Sequence, residues 1–139
     1  MAANTVPIFI LTPRTETAAL DAANTARDGS GSLVSLFTAG SNGSRIDFIT
    51  FNSAQSTPAA SSAMVGRVFV SDTSGANFRL LSEIALPTIT ASNTVIGQTQ
   101  TIFYSNGLLL GSGQILSVTI SVYAGVQDAY QAIARGGNY

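Results

Sequence analysis

Seven carboxylates are the only side chains in this sequence suited to acid–base chemistry near neutral pH: Glu16, Asp21, Asp28, Asp47, Asp72, Glu83 and Asp128. Histidine, cysteine and lysine are absent. Their absence removes the usual general base, the thiolate nucleophile and the commonest metal ligands, and with them Ser-His, Cys-His and Ser-Lys catalysis. Glycoside hydrolysis needs only two carboxylates brought together by a fold. The seven acids, however, are scattered and show no calcium-loop spacing. Glu83 shares a strand face with Arg79, which suits a surface ion pair better than a catalytic one. Gly107, Gly111 and Gly113 have the look of a phosphate loop, but no lysine follows and the next element reads as a strand. Asn42-Gly43-Ser44 matches a glycosylation sequon, yet a tight turn explains the same residues more simply. The expectation is a protein that is not an enzyme and needs no metal or cofactor.

The elements that carry these residues are short. At 139 residues the chain is expected to form one domain, with residues 1–5 as an N-terminal arm and 6–139 as a β-sandwich. Charged residues make up 9%, against about 25% in ordinary proteins. All six basic side chains are arginines, and the net charge is −1, which gives no electrostatic case for nucleic acid or an acidic membrane. No apolar run approaches the ~20 residues that span a bilayer, and no basic region precedes the first apolar residues as in a secretory signal. With 17 Ser and 15 Thr, the surface is one of hydroxyls rather than ions. Two readings follow: hydroxyls cover a solvent face, or other subunits cover a surface where charge would be costly.

Periodicity places the strands. Val6–Leu11 is apolar on both alternating faces, with Pro7 confining it to an edge and Pro13 ending it. Thr15–Arg27 reads as extended rather than helical, because Leu20 is its only large apolar side chain. After the turn Asp28–Gly31, Leu33–Ala39 and Arg45–Asn52 read as hairpin partners around Asn42-Gly43, with a bulge near Asp47 and Phe48. Ser53–Ser62 is a loop. Met64–Asp72 is a strand in which Gly66 marks a second bulge, and Phe78–Leu86 alternates up to Pro87. Thr88–Gly97 is polar, and Gln98–Tyr104 leads into the clearest stretch, Ser105–Tyr123. There Asn106-Gly107 and Gly111–Gly113 read as turns. Leu116, Val118, Ile120 and Val122 share a buried face, while Ser117, Thr119 and Ser121 face the other way. Tyr130–Arg135 is the last strand. The seven phenylalanines are expected in the core. About eight short strands make an all-β, jelly-roll-like antiparallel sandwich.

Several segments also resemble a known family. ARDGSGSLVSLFTAGSNGSRIDFITF, GRVFVSD, FRLLSEIALP, SNGLLLGSGQILSVTISV and the closing IARGGNY follow in order a pattern similar to the capsid decoration, or cement, proteins of tailed bacteriophages. The resemblance covers most of Ala26–Tyr139. It departs at Ser105-Asn106, where a proline is common, and at Asn138, where an acidic residue is common. It implies a jelly-roll-like sandwich and a structural virion protein on the head surface, made in the host cytoplasm. It further implies a homotrimer whose partner is the major capsid protein of the assembled head. Asn4, Thr5, Val6, Pro7, Ile8 and Phe9 are the expected capsid or subunit contact, being uncharged and free to order on binding. A tail, neck or baseplate accessory protein is the alternative within the same fold. A carbohydrate-binding module is a third reading, disfavoured by the lack of tryptophan as a stacking platform.

Overall fold

Alternation becomes eight β-strands over residues 9–139, the part of the chain described by the structure, a computed structural model. They are β1 (Thr12–Leu20), β2 (Val34–Thr38), β3 (Ser44–Ser53), β4 (Met64–Val70), β5 (Arg79–Leu86), β6 (Thr99–Leu110), β7 (Ile115–Ile120) and β8 (Tyr130–Asn138). A single 3-10 turn, Val126–Asp128, is the only helical piece among the described residues. Two antiparallel four-stranded sheets are ordered β1-β8-β3-β6 and β2-β7-β4-β5. β1 pairs with β8, β2 with β7, β3 with β6 and β4 with β5. The chain is thus one long hairpin, folded at the β4–β5 turn and rolled up. That order is a jelly roll.

Only the β4–β5 link stays within a sheet, and a carboxylate shapes it. Asp72 accepts hydrogen bonds from the Ser74 hydroxyl at 2.6 Å, the Ser74 and Ala76 amides and the Asn77 side chain. The Ser74 hydroxyl, then Asn77 and the backbone donors, hold this carboxyl far below its ordinary range. Every other connection crosses between the sheets. Segments 21–33, 54–63, 87–98 and 121–129 gather at one end, and 39–43, 71–78 and 111–114 at the other.

Inward side chains from both sheets form the core: Leu20, Leu36, Phe37, Ile46, Ile49, Phe51, Val68, Leu86, Leu116, Val118 and Ile120 are each at most 4% exposed. Two of these residues lie beside expected irregularities. The bulge at Asp47 is present, shifting the register between Ile46 and Phe48 and turning Ile46, Ile49 and Phe51 all inward. Gly66 is not a bulge. It makes room for Phe51 across the sandwich, since a Cβ there would fall 2.9 Å from the ring.

Other expectations change for physical reasons. Leu33–Ala39 and Arg45–Asn52 are joined by the expected tight turn, Gly43 N–H donating to Gly40 at 3.0 Å, but they lie in opposite sheets and form no hairpin. Asn106-Gly107 does not end a strand. β6 runs through it, with Ile46 opposite Leu108 and Phe48 opposite Phe103, so Tyr104–Gly107 balloon out against Asp47 alone. Gly107, at φ 73°, supplies the left-handed residue that this excursion needs. Pro13 sits inside β1, which tolerates it as an edge strand. Residues 12–20 are extended, which bears out the expected extended reading for Thr15–Leu20 of the segment Thr15–Arg27; of the expected first strand at Val6–Leu11, Val6, Pro7 and Ile8 lie outside the described residues, and Phe9, Ile10 and Leu11 are not strand.

Candidate functional site

Each sheet has an outer face, and the two have different fates. On the β2-β7-β4-β5 sheet, Arg67 and Phe69 of β4 stand opposite Thr119 and Ser117 of β7. All four are buried: Arg67 8%, Phe69 0%, Ser117 2% and Thr119 1% exposed. Thr119 and Ser117 were expected to face solvent, but the 21–33 crossover lies over them. Its Asn24 N–H donates to the Ile120 carbonyl, and the Asn24 side chain donates to the Ser30 and Ser32 carbonyls. Farther along, Gly29 packs on the backbone of Phe78, next to β5.

A small ionic network pins that crossover. The buried Arg67 guanidinium donates to the Asn24 carbonyl at 3.1 Å and to Glu83 at 2.8 Å. The second Glu83 oxygen takes Arg27 at 2.7 Å, so one carboxylate ties β4 to the crossover. Glu83 therefore does not serve the expected Arg79 pair. Both of its oxygens are engaged by arginines that hold the crossover on the sheet.

The outer face of the β1-β8-β3-β6 sheet has no such cover among the described residues. Register sets its rows: Thr15, Arg135, Phe48 and Phe103 across one level, Thr17, Ile133, Thr50 and Thr101 across the next. Phe48 and Phe103 meet with ring centroids 5.9 Å apart, and Thr50 and Thr101 share a hydrogen bond at 3.0 Å. Phe103 was expected in the core, yet it is 74% exposed, and Leu109 is 66% exposed. Sequence parity could not choose its side, because Ile102 and Tyr104 on either flank are also apolar. Near the start of β1, Phe9 and Leu11 are 70% and 78% exposed. Of the expected contact residues, Asn4, Thr5, Val6, Pro7 and Ile8 lie outside the described residues, and Phe9 is an unburied aromatic.

The loop ends offer no reactive constellation. An open cleft of about 530 Å³ between the 54–63 and 87–98 segments is lined by Gln55, Ser56, Thr57, Pro58, Ala91, Ser92, Asn93 and Thr94. It carries neither an ionisable nor an aromatic side chain. Gln55 holds it together, donating to the Gln127 carbonyl at 2.7 Å and accepting from the Ala91 amide at 2.9 Å. Nearby, Asp128 is fully buried. Burial pushes its carboxyl up, but the Ser62 and Ala124 amides and the Ser62 hydroxyl outweigh that and hold it below the ordinary value. Asp28 is likewise lowered, chiefly by the Ser30 hydroxyl and amide inside its own turn. Among the described residues no three acids gather as a metal site would require, and no helix is long and apolar enough to cross a membrane.

No protein-family model matches the chain. No curated protein matches it either. Among solved structures it is similar to a chain of "Structure of infectious bursal disease virus Gt strain", at 15% identity and a TM-score of 0.31. That likeness covers 98% of this chain and 34% of the other, so this chain spans about a third of that one's length. At so loose a fit, the assignment of the fold rests on the strand order itself: an eight-stranded jelly-roll sandwich, one of whose outer faces is covered by the 21–33 crossover and the other left open by the described residues.

Proposed function

We propose that this protein is a structural component of a virion, a decoration protein that binds the outer surface of an assembled phage head and bridges neighbouring major capsid subunits. The observation that carries the reading is the open outer face of the β1-β8-β3-β6 sheet, where Phe103 and Leu109 are exposed, with Phe9 and Leu11 exposed in the segment just before β1. Large apolar side chains gathered on one face mark an association surface more often than solvent. The ordered resemblance of Ala26–Tyr139 to phage decoration proteins supplies the kind of partner, and the jelly roll is a fold that virion proteins use. Fold alone does not carry function, so the segment resemblance and the surface must carry it together.

A decoration protein must prefer the assembled shell to free capsid subunits. That preference arises when each contact is weak and several act at once. A homotrimer suits this, and the segment Asn4–Phe9 is the proposed capsid contact. With so few charges the binding should depend only modestly on salt. The test is co-sedimentation with expanded heads that lack the protein, using the full chain and one missing residues 1–5. Binding of the full chain, weakened by the truncation, is the expected result. Failure to bind heads, with binding to tails instead, overturns the head reading in favour of a tail or neck protein; unchanged binding of the truncation removes only the arm.

A further inference from the structure

From Ile84 to Gln127, about a third of the chain, there is no Asp, Glu, Lys or Arg. This uncharged run supplies Val95, Ile96, Phe103, Leu109 and Val126, five of the eight large apolar side chains left exposed among the described residues. Most of them follow one line. Val95 and Ile96 sit in the loop leading to β6, and Phe103 and Leu109 lie on β6 itself, an edge strand. Ile96 is 88% exposed although its loop is ordered, Ser92 and Val95 exchanging backbone hydrogen bonds and the Ser92 hydroxyl accepting from Thr94 and Val95. The nearest charges on the same sheet, Arg45 and Asp47, neutralise each other at 2.8 Å. β6 runs alongside the nine residues Ser44–Asn52 of β3, about 30 Å, and at a width of about 20 Å it gives roughly 600 Å² per subunit; the loop carrying Val95 and Ile96 brings the strip toward the roughly 800 Å² of a standard interface.

We propose that the β6 strip, from Val95 through Phe103 to Leu109, is the surface by which copies of this chain associate about a symmetry axis. Two features select a second copy as the occupant. Side chains close to a rotation axis meet their own copies, so a charge there meets a like charge, and a long run without charge suits a strip beside such an axis. A surface that stayed in water until it met a capsid would gain solubility from charge, whereas one covered from folding onward is depleted of it. The edge itself is unsuited to strand addition, because the Tyr104–Gly107 excursion breaks its line. Association is therefore through side chains. The strip lies across the sheet from β1, which leaves the β1 side and the N-terminal segment for the capsid.

The inference rests on the decoration reading for its biological setting, but its test does not. Phe103→Glu and Leu109→Glu alter exposed positions, so circular dichroism should be unchanged. Sedimentation at micromolar concentration should show the wild type as an oligomer and both variants as monomers, with Thr17→Glu on β1 remaining oligomeric. As an independent measure, Phe103→Cys introduces a single thiol into a chain without cysteine. Three copies at an axis should give disulfide-linked pairs with one chain left over, and Thr17→Cys should give none. A monomeric wild type, or charged variants that stay oligomeric while Phe103→Cys fails to cross-link, overturns the proposal. If Phe103→Glu remains oligomeric but loses binding to heads, the strip faces the capsid instead and the proposal falls while the decoration reading stands. An oligomer that dissociates as expected yet never binds heads upholds the interface and sinks the decoration reading.

Discussion

Phe69 and Phe103 both lie on the outer faces of their sheets, Phe69 on the central strand β4 and Phe103 on the edge strand β6, and their surroundings could hardly differ more. Phe69 is fully buried, and Phe103 is 74% exposed. Phe69 has a strand on either side, and above it runs the 21–33 crossover, which the chain lays over the β2-β7-β4-β5 sheet and holds there through Asn24, Arg67, Glu83 and Arg27. The other sheet receives no such layer from the described residues. A jelly roll needs only the inner faces for its own core; an outer face becomes either a second core or a surface offered to others. Here one chain does both, and the open face keeps Phe103 and Leu109 exposed.

The sharpest way to break this comparison is to truncate both rings. Phe69→Ala should cost about 3–5 kcal/mol in urea denaturation, as for other buried aromatics. Phe103→Ala should change the stability of the isolated chain by no more than about 0.5 kcal/mol. Any added effect from subunit association will grow with protein concentration, so repeating the measurement over a dilution series separates the two. Similar losses at both positions in dilute solution would mean that the open face is covered within one chain.

Arginine offers the same contrast with a smaller effect. Arg67→Ala removes a buried guanidinium and leaves the Asn24 carbonyl and one side of Glu83 without a donor, which should cost about 3 kcal/mol. Glu83 is partly solvated and keeps Arg27, so the loss should fall at the low end for a broken buried pair. Arg135→Ala on the open face should be nearly neutral. A protease that cuts after arginine should also reach Arg27 faster in Arg67→Ala, because the crossover loses its anchor.

How far could the sequence be read? The alternation of Leu116, Val118 and Ile120, the bulge at Asp47 and turn glycines such as Gly43 and Gly113 were legible, because period and φ > 0 are local properties. The rolled-up strand order was not. Leu33–Ala39, a turn and Arg45–Asn52 look like a hairpin, yet nothing in a tight turn says whether the next strand rejoins the same sheet or crosses to the other. Burial of Ser117 and Thr119 was illegible for a related reason: alternation reports which side faces the core, not what a distant loop does to the opposite side. Phe103 shows the reverse error, an aromatic in an apolar run assigned to the core when its register points it outward. The surface was the least legible part, since exposure depends on register across strands far apart in the chain.

Acid should reveal the loop end next. The folded Asp128 carboxyl lies below its ordinary value of 3.8, so its charged form is stabilised by folding and contributes fully above that value. The contribution is lost as pH falls through the folded value. Asp128→Asn should therefore destabilise the protein by about 1–3 kcal/mol at neutral pH, with a smaller penalty in acid. Denaturation midpoints measured from neutral pH down to pH 2 check this; a penalty that grows toward low pH would contradict the assignment.

The smallest expected effect is the most specific to the covered face. The Thr119 hydroxyl is buried and has no hydrogen-bond partner among the described residues. An unsatisfied buried hydroxyl is a cost, and replacing it by a methyl of similar shape removes that cost while keeping the packing. Thr119→Val should thus leave stability unchanged or raise it by up to about 1 kcal/mol, against the usual result for a buried polar residue. Val118 and Ile120 beside it stay on the inner face, so the substitution touches only the layer between the sheet and the crossover. Thr17→Val on the open face, where water satisfies the hydroxyl, should gain nothing. A loss above about 1 kcal/mol at Thr119 would mean that the hydroxyl has a partner beneath the crossover, such as a bridging water, and that the covered face is held by more than Arg67 and Asn24.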